Sequence, residues 1–376
     1  MIRTALARRA LHDHSKARYD TGIMRRPSET SLARTLPFGS DAALRRSFLL
    51  TDERLKANFR FGLLLETLDK IAEETALAYV AESHPHARFV TAAIDSIRVR
   101  NAPDVGRDMH LLARVNYIGR TSLEVGVRIE QPGDDGPHHV ASCYFTMVAR
   151  SGTGDDAESI ELAPLRYEDE YELRRERRAI KRRAKYRDAQ SEAVEPPSRE
   201  EYAVLQDLHA AQDRADFAGS LVRDLTTTSY DLTYPEHENV PKKIFGGYII
   251  HRAFMYSAMC AELIAPDRPT VVAVNRINFH HPVRIADKLQ FTSRITYTGW
   301  SSVCVETDIV RISRDRASTS LCNTCIFTFA NVDADLQPRA VPPVYPTTYA
   351  EDARYLAASR RHLTHKAIVN QLRTTA

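Results

Sequence analysis

The sequence predicts an α+β protein made of two copies of one domain, each a long helix followed by an antiparallel sheet. Three observations carry this prediction. The chain matches itself: Arg114-Val-Asn-Tyr-Ile-Gly119-Arg-Thr-Ser122-Leu-Glu-Val125 aligns with Arg294-Ile-Thr-Tyr-Thr-Gly299-Trp-Ser-Ser302-Val-Cys-Val305 at an offset of 180. The same offset sets Ala93–Ile97 on Ala273–Ile277, and an offset of 182 sets Cys143–Met147 on Cys325–Phe329. A stretch with apolar residues at helical spacing opens each copy, and alternating or β-branched runs broken by Gly and Pro follow it.

Taken in order, residues 1–35 form a basic arm. Met1 to Pro27 carries Arg3, Arg8, Arg9, Lys16, Arg18, Arg25 and Arg26 against Asp13 and Asp20, and Ile2, Leu6 and Ala10 would share one helix face. That is the composition of a mitochondrial transit peptide. The first domain spans 36–160: a helix over Phe61 to Val80, with Leu64, Leu68, Ile71 and Thr75 on one face, then strands at Phe89–Arg100, His110–Tyr117, Ser122–Glu130 and His139–Arg150. A charged helical connector spans 161–225, in which Arg174, Arg175, Arg177, Arg178, Lys181, Arg182, Arg183 and Lys185 follow Glu168 to Glu172. It shows no sustained apolar face and reads as solvated, and it lacks the interleaved aromatics that RNA binding would use. The second domain spans 226–345, with a helix over Gly247 to Ile264 and strands at Thr270–Phe279, Lys288–Thr298, Ser302–Ile312 and Ser318–Ala330. A tail, 346–376, completes the chain.

Composition bounds the function. The 376 residues are 27% charged and 43% hydrophobic, outside the disordered and fibrous classes, and the net charge of +3 is too small to argue for nucleic acid. No window approaches 18 consecutive apolar residues, so no membrane-spanning helix is expected. Five cysteines make no disulfide framework. Cys322 and Cys325 form a lone C-x-x-C on a strand, where positions three apart face opposite sides, so neither a metal nor a cofactor is called for.

The most informative stretch is Asn239-Val-Pro-Lys-Lys-Ile-Phe-Gly246-Gly247-Tyr-Ile-Ile-His251. Paired glycines at the mouth of a helix let another group approach bare backbone N–H donors, and a thioester carbonyl fits there. The first copy reads Asn58-Phe-Arg-Phe-Gly62 at the same place, with one glycine.

These residues, with Phe59-Arg-Phe-Gly-Leu-Leu-Leu-Glu-Thr-Leu-Asp69, Val115–Val125, Phe145–Arg150, Ile244–Tyr248 and Val344–Tyr349, resemble the double hotdog acyl-coenzyme A thioesterases, most closely the mitochondrial type 9 and type 10 group. The likeness runs from about Pro37 to Tyr355. It implies a tandem hotdog fold and a site combining an Asn eight residues before the second glycine of one domain with an acid about seven residues into the helix of the other. Here those positions hold Asn239 and Asp69. The opposite combination holds Arg54 with Phe254 or Met255, so the resemblance implies one competent and one degenerate site per chain.

Thioester hydrolysis asks for an activated water or carboxylate nucleophile and donors aimed at the developing oxyanion. Asp69 is the expected base or nucleophile, the Gly247 N–H the expected polarising donor, and Asn239 the expected holder of water or thioester. Gly246, Lys242, Lys243 and Arg120 are expected to meet the substrate, the cations because coenzyme A is polyanionic. His251 reads as a packing or surface residue. The expected protein is a mitochondrial matrix acyl-coenzyme A thioesterase that assembles further into a homo-oligomer. Its rivals are a non-catalytic subunit of a mitochondrial ribosome or respiratory complex, associated with RNA or a large assembly, and a hotdog hydratase using His280 or His281, for which the Asp/His loop pair is missing.

Overall fold

The computed structural model describes residues 24–51, 56–152, 157–189, 196–240, 243–275 and 277–374; the expected targeting segment, apart from its last residues, lies outside them. The described helices are α1 (Ala42–Phe48), α2 (Phe61–Val80), α3 (Glu170–Ala189), α4 (Arg199–Gln212), α5 (Gly246–Ala261) and α6 (Tyr349–Thr374). The first unit's strands are β1 (Leu32–Leu36), β2 (Arg88–Ile94), β3 (Ile97–Val99), β4 (Met109–Ile118), β5 (Ser122–Gly133), β6 (Gly136–Ser151) and β7 (Glu158–Ser159). Two residues of β8 (Ser220–Leu221) precede the second unit, which has β9 (Thr226–Leu232), β10 (Glu238–Val240), β11 (Lys243–Ile244), β12 (Pro269–Val274), β13 (Ile277–Asn278), β14 (Lys288–Thr298), β15 (Ser302–Ile312), β16 (Thr319–Asn331) and β17 (Val344–Tyr345).

Both units are hotdogs, and their strands merge into one 13-stranded sheet that runs β1-β4-β5-β6-β3-β12-β16-β15-β14-β9. The duplication extends to its irregularities. Bulges at Thr91/Ala93, Val115/Tyr117 and Ile129/Glu130 recur in the second unit at the equivalent positions Val271/Ala273, Ile295/Tyr297 and Ile309/Val310. Each adds a residue and re-aims the side chains that follow. The long strand expected at Phe89–Arg100 is broken into β2 and β3, and its counterpart into β12 and β13. These breaks let the units join, with Ile94 opposite Ile277 and Ile97 opposite Val274 about a pseudo-twofold axis.

The core sits between each central helix and the concave face of its sheet. On α2, Leu64, Leu65, Leu68, Ile71, Ala72 and Ala76 are fully buried, each leucine contributing roughly 2 kcal/mol by area. α5 packs across the pseudo-axis against α2, where Glu66 and His251, equivalent positions of the two helices, lie 3.0 Å apart. Burial works against the Glu66 charge, yet its bonds to His251 and Lys70 hold the carboxyl down at about 2. His251 is thus a contact of the pseudo-axis.

The structure corrects three expectations. Residues 32–36 belong to the first sheet as β1, paired with β4, and Arg26 bridges to Glu168 at 2.8 Å and Asp169 at 3.0 Å, so the basic arm ends earlier than residue 35. The connector is not a solvated rod: α3 lies on the convex face of the first sheet, where Arg182 clasps Glu124 through two bonds of 2.6 and 2.9 Å and stacks 3.6 Å above the Tyr144 ring. The tail does the same for the second unit, α6 reaching Glu306 through Arg354. Arg183 of α3 and His362 of α6, equivalent members of the two covering helices, lie over the equivalent turns at Gly119 and Gly299. Lastly, Cys322 and Cys325 do not face opposite sides. The bulge beside Ile309 turns both inward, where both are free thiols raised by burial.

Candidate functional site

Asp69 lies on the buried face of α2 beside Leu68 and is itself fully buried, where α2 meets the N-terminus of α5. Thr91 Oγ1 donates to its Oδ1 at 2.6 Å, and Oδ2 has no hydrogen-bond partner. A buried carboxylate costs several kcal/mol unless it is compensated. Loss of solvent pushes the Asp69 carboxyl up to about 6, against the opposing pull of the Thr91 hydroxyl and the Gly247 N–H. The positive end of α5 faces the acid without satisfying it.

The approach is tightest at Gly247. A Cβ on Gly247 would stand 2.6 Å from the Phe245 ring and 3.1 Å from Asp69 Cβ; one on Gly246 would stand 3.0 Å from Phe279 and 3.4 Å from Asp69 Oδ2. A cavity of about 280 Å³ opens here between β2, β6 and the start of α5, lined by Thr91, Arg150, Lys243, Gly246 and Phe279 among others. His280 and His281 are exposed at its margin.

Of the residues expected to act together, the structure joins Asp69, Gly246 and Gly247 directly and places Lys243 on the same cavity. Asn239 lies on β10 by its backbone, and its side chain is outside what the structure describes, as is Lys242. Arg120 does not line the cavity; it is exposed, 3.6 Å from Glu161. Sequence reading missed Thr91 and Arg150. A signal for Thr91 exists in the repeat, since the equivalent position of the second unit holds Val271, just as Phe254 stands where Asp69 would be.

The equivalent site at the start of α2 is closed. Gly62 there meets His251 and Phe254, and Phe254 packs on Phe61, Phe327 and Phe329 with ring centroids 5.4 to 5.8 Å apart. Acid and hydroxyl donor have both become apolar, which fills the space substrate would need. Phe254→Ala is expected to cost about 3 kcal/mol of stability while changing hydrolysis less than twofold, as denaturant melts and turnover of the same preparation would show.

A family model described as the thioesterase superfamily matches residues 70–137 and 244–318, once in each hotdog unit. The chain is 25% identical over 371 residues to human "Acyl-coenzyme A thioesterase 9, mitochondrial", covering 94% of this chain and 81% of that one. It is likewise 25% identical over 343 residues to mouse "Acyl-coenzyme A thioesterase 10, mitochondrial", covering 86% and 75%. Among solved structures, a putative oleoyl thioesterase from Lactobacillus plantarum aligns with 80% of this chain and 95% of its own, at 11% identity and a TM-score of 0.47. One model thus matches both repeats, and over most of its length the chain is similar to the type 9 and type 10 thioesterases.

Proposed function

We propose that the Asp69 site hydrolyses acyl-coenzyme A thioesters to the free acid and coenzyme A. The observation that carries this is a fully buried carboxylate with one unpartnered oxygen, facing a twin-glycine helix start beside a cavity. A structural subunit has no use for so costly an arrangement. In the proposed reaction the thioester oxygen takes the N–H groups at the start of α5. Asp69 removes a proton from water as the water oxygen attacks the carbonyl carbon, and the C–S bond then breaks and the departing thiolate takes up the proton. Attack by Asp69 itself, through a mixed anhydride that water then cleaves, uses the same geometry. Asn239 is proposed to hold the water or the thioester, and Lys243 and Arg150 to meet the coenzyme A phosphates.

Names of the relatives and the acid-poor basic N-terminal segment support a mitochondrial matrix location. Among the described residues no helix is long and apolar enough to cross a membrane. The exposed edge strands β1 and β9 suit assembly into a homo-oligomer.

Thiol release from a panel of acyl-coenzyme A esters, acetyl to palmitoyl, tests the reading with purified full-length protein. Hydrolysis of at least one member is expected, and failure with all of them would overturn it in favour of a non-catalytic subunit. Because the base must be ionised and its carboxyl is pushed up to about 6, kcat/KM is expected to fall about tenfold per pH unit below that value and to level off above it. An acid limb near the ordinary Asp range, around 4, would remove Asp69 from the role.

A further inference from the structure

The outer faces of the two units differ in how their arginines are paired. In the second unit Arg294 pairs with Asp308 at 2.6 Å and Arg354 with Glu306 at 2.9 Å. In the first unit the position of Asp308 is held by Arg128: Asp308 lies between Thr292 and Thr324, Arg128 between their counterparts Leu112 and Ser142. Arg114, the counterpart of Arg294, thereby lacks its acid, and its Nε and Nη2 are buried without a hydrogen-bond partner. The covering helices deepen the contrast. α3 brings Arg174 and Arg178 to positions where α6 has Ala353 and Ala357.

Between α3 and the sheet this leaves a cavity of about 330 Å³ lined by Arg100, Arg128, Arg174, Arg175, Arg178 and Arg182, with no carboxylate among the described residues of its wall. Glu124 and Glu130 answer Arg182 and Arg128 from beside it, whereas Arg174 and Arg178 form no ion pair with another described residue. Two groups register the surplus charge. Arg175 is pushed down by burial and by Arg114, and His139, which also lines the cavity, by burial and by Arg128 and Arg100. None of these residues lines the Asp69 cavity.

Like charges gathered in a partly desolvated space weaken a fold unless a counter-charge arrives. Guanidinium forks match phosphate oxygens two at a time. At about 30 Å³ per water, the cavity holds roughly ten waters' worth of volume, room for more than one phosphoryl group. We propose that this cavity between α3 and β4–β6 is a second site, one that binds a small oligophosphate anion.

Calorimetric titration of the full-length protein with inorganic tripolyphosphate tests this, with orthophosphate and a short RNA as further titrants. One tripolyphosphate per chain is expected, tighter than orthophosphate and weakened by salt. Arg128→Asp, which restores the second unit's pairing, and the exposed pair Arg174→Ala with Arg178→Ala should each weaken it at least tenfold. Acyl-coenzyme A hydrolysis without the anion should stay within twofold of wild type in both variants. Should Arg128→Asp fail to fold, the double alanine variant decides alone. No binding to wild type, binding that both variants retain, or RNA bound more tightly through the same arginines would each overturn the proposal.

Discussion

Asp69→Asn is expected to lower turnover by about a hundredfold or more and, at neutral pH, to make the protein more stable. The activity loss follows from replacing the proposed base by an amide of the same shape. The stability gain follows from the buried charge. With its carboxyl pushed from the ordinary 3.8 up to about 6, the folded state prefers the protonated form. Stability contributed by that preference is fully present below about 4, is lost as pH rises to about 6, and stays lost above. Two pH units correspond to about 3 kcal/mol, less whatever the new amide loses facing the Gly247 N–H. Melting temperatures of the two proteins should therefore converge near pH 4 and separate by pH 7. A wild type that is the more stable at pH 7 would show that the carboxylate is compensated.

Gly247→Ala should behave in the opposite way, with turnover and stability falling together. Alanine normally stabilises a helix by about 0.5–1 kcal/mol over glycine. Here its methyl would come within 2.6 Å of the Phe245 ring and 3.1 Å of Asp69 Cβ, so ring and acid must move. Overpacking of this kind costs about 1–3 kcal/mol, which outweighs the helix gain. Displacing the acid and its facing N–H by even a few tenths of an ångström should cost about ten- to a hundredfold in kcat. A melting temperature that rises would mean that the helix start and Asp69 are not in close approach.

Much of the fold was legible because the repeat is written in residues that turns and cores demand. The glycine and serine at 119 and 122 recur at 299 and 302, and Phe61–Val80 is a helix with the bounds its periodicity predicted. Asp69 was singled out by the resemblance and Gly247 by the paired glycines at a helix mouth, and the structure sets the two side by side. What was not legible depends on two other kinds of physics. Bulges change which side chains face inward, so the inward turn of Cys322 could not be read from alternation. The packing of α3 is carried by guanidinium groups on tyrosine rings and carboxylates, which leaves no apolar stripe to find. Thr91 was missed because a strand threonine is commonplace; only its contrast with Val271 marks it. Arg120 was expected at the substrate because coenzyme A is polyanionic, and its side chain lies out by Glu161 instead.

The contact between Glu66 and His251 marks where two once-equivalent surfaces meet within a single polypeptide. In an assembly of identical hotdogs, the acid and the residue facing the opposite glycine would be specified by the same codon, so any change would strike both sites. Joining the halves gives positions 69 and 254 separate histories. One could keep a destabilising carboxylate while the other drifted to phenylalanine and returned packing energy to the interface. Covalent fusion thus lets two structurally equivalent positions carry different chemistry.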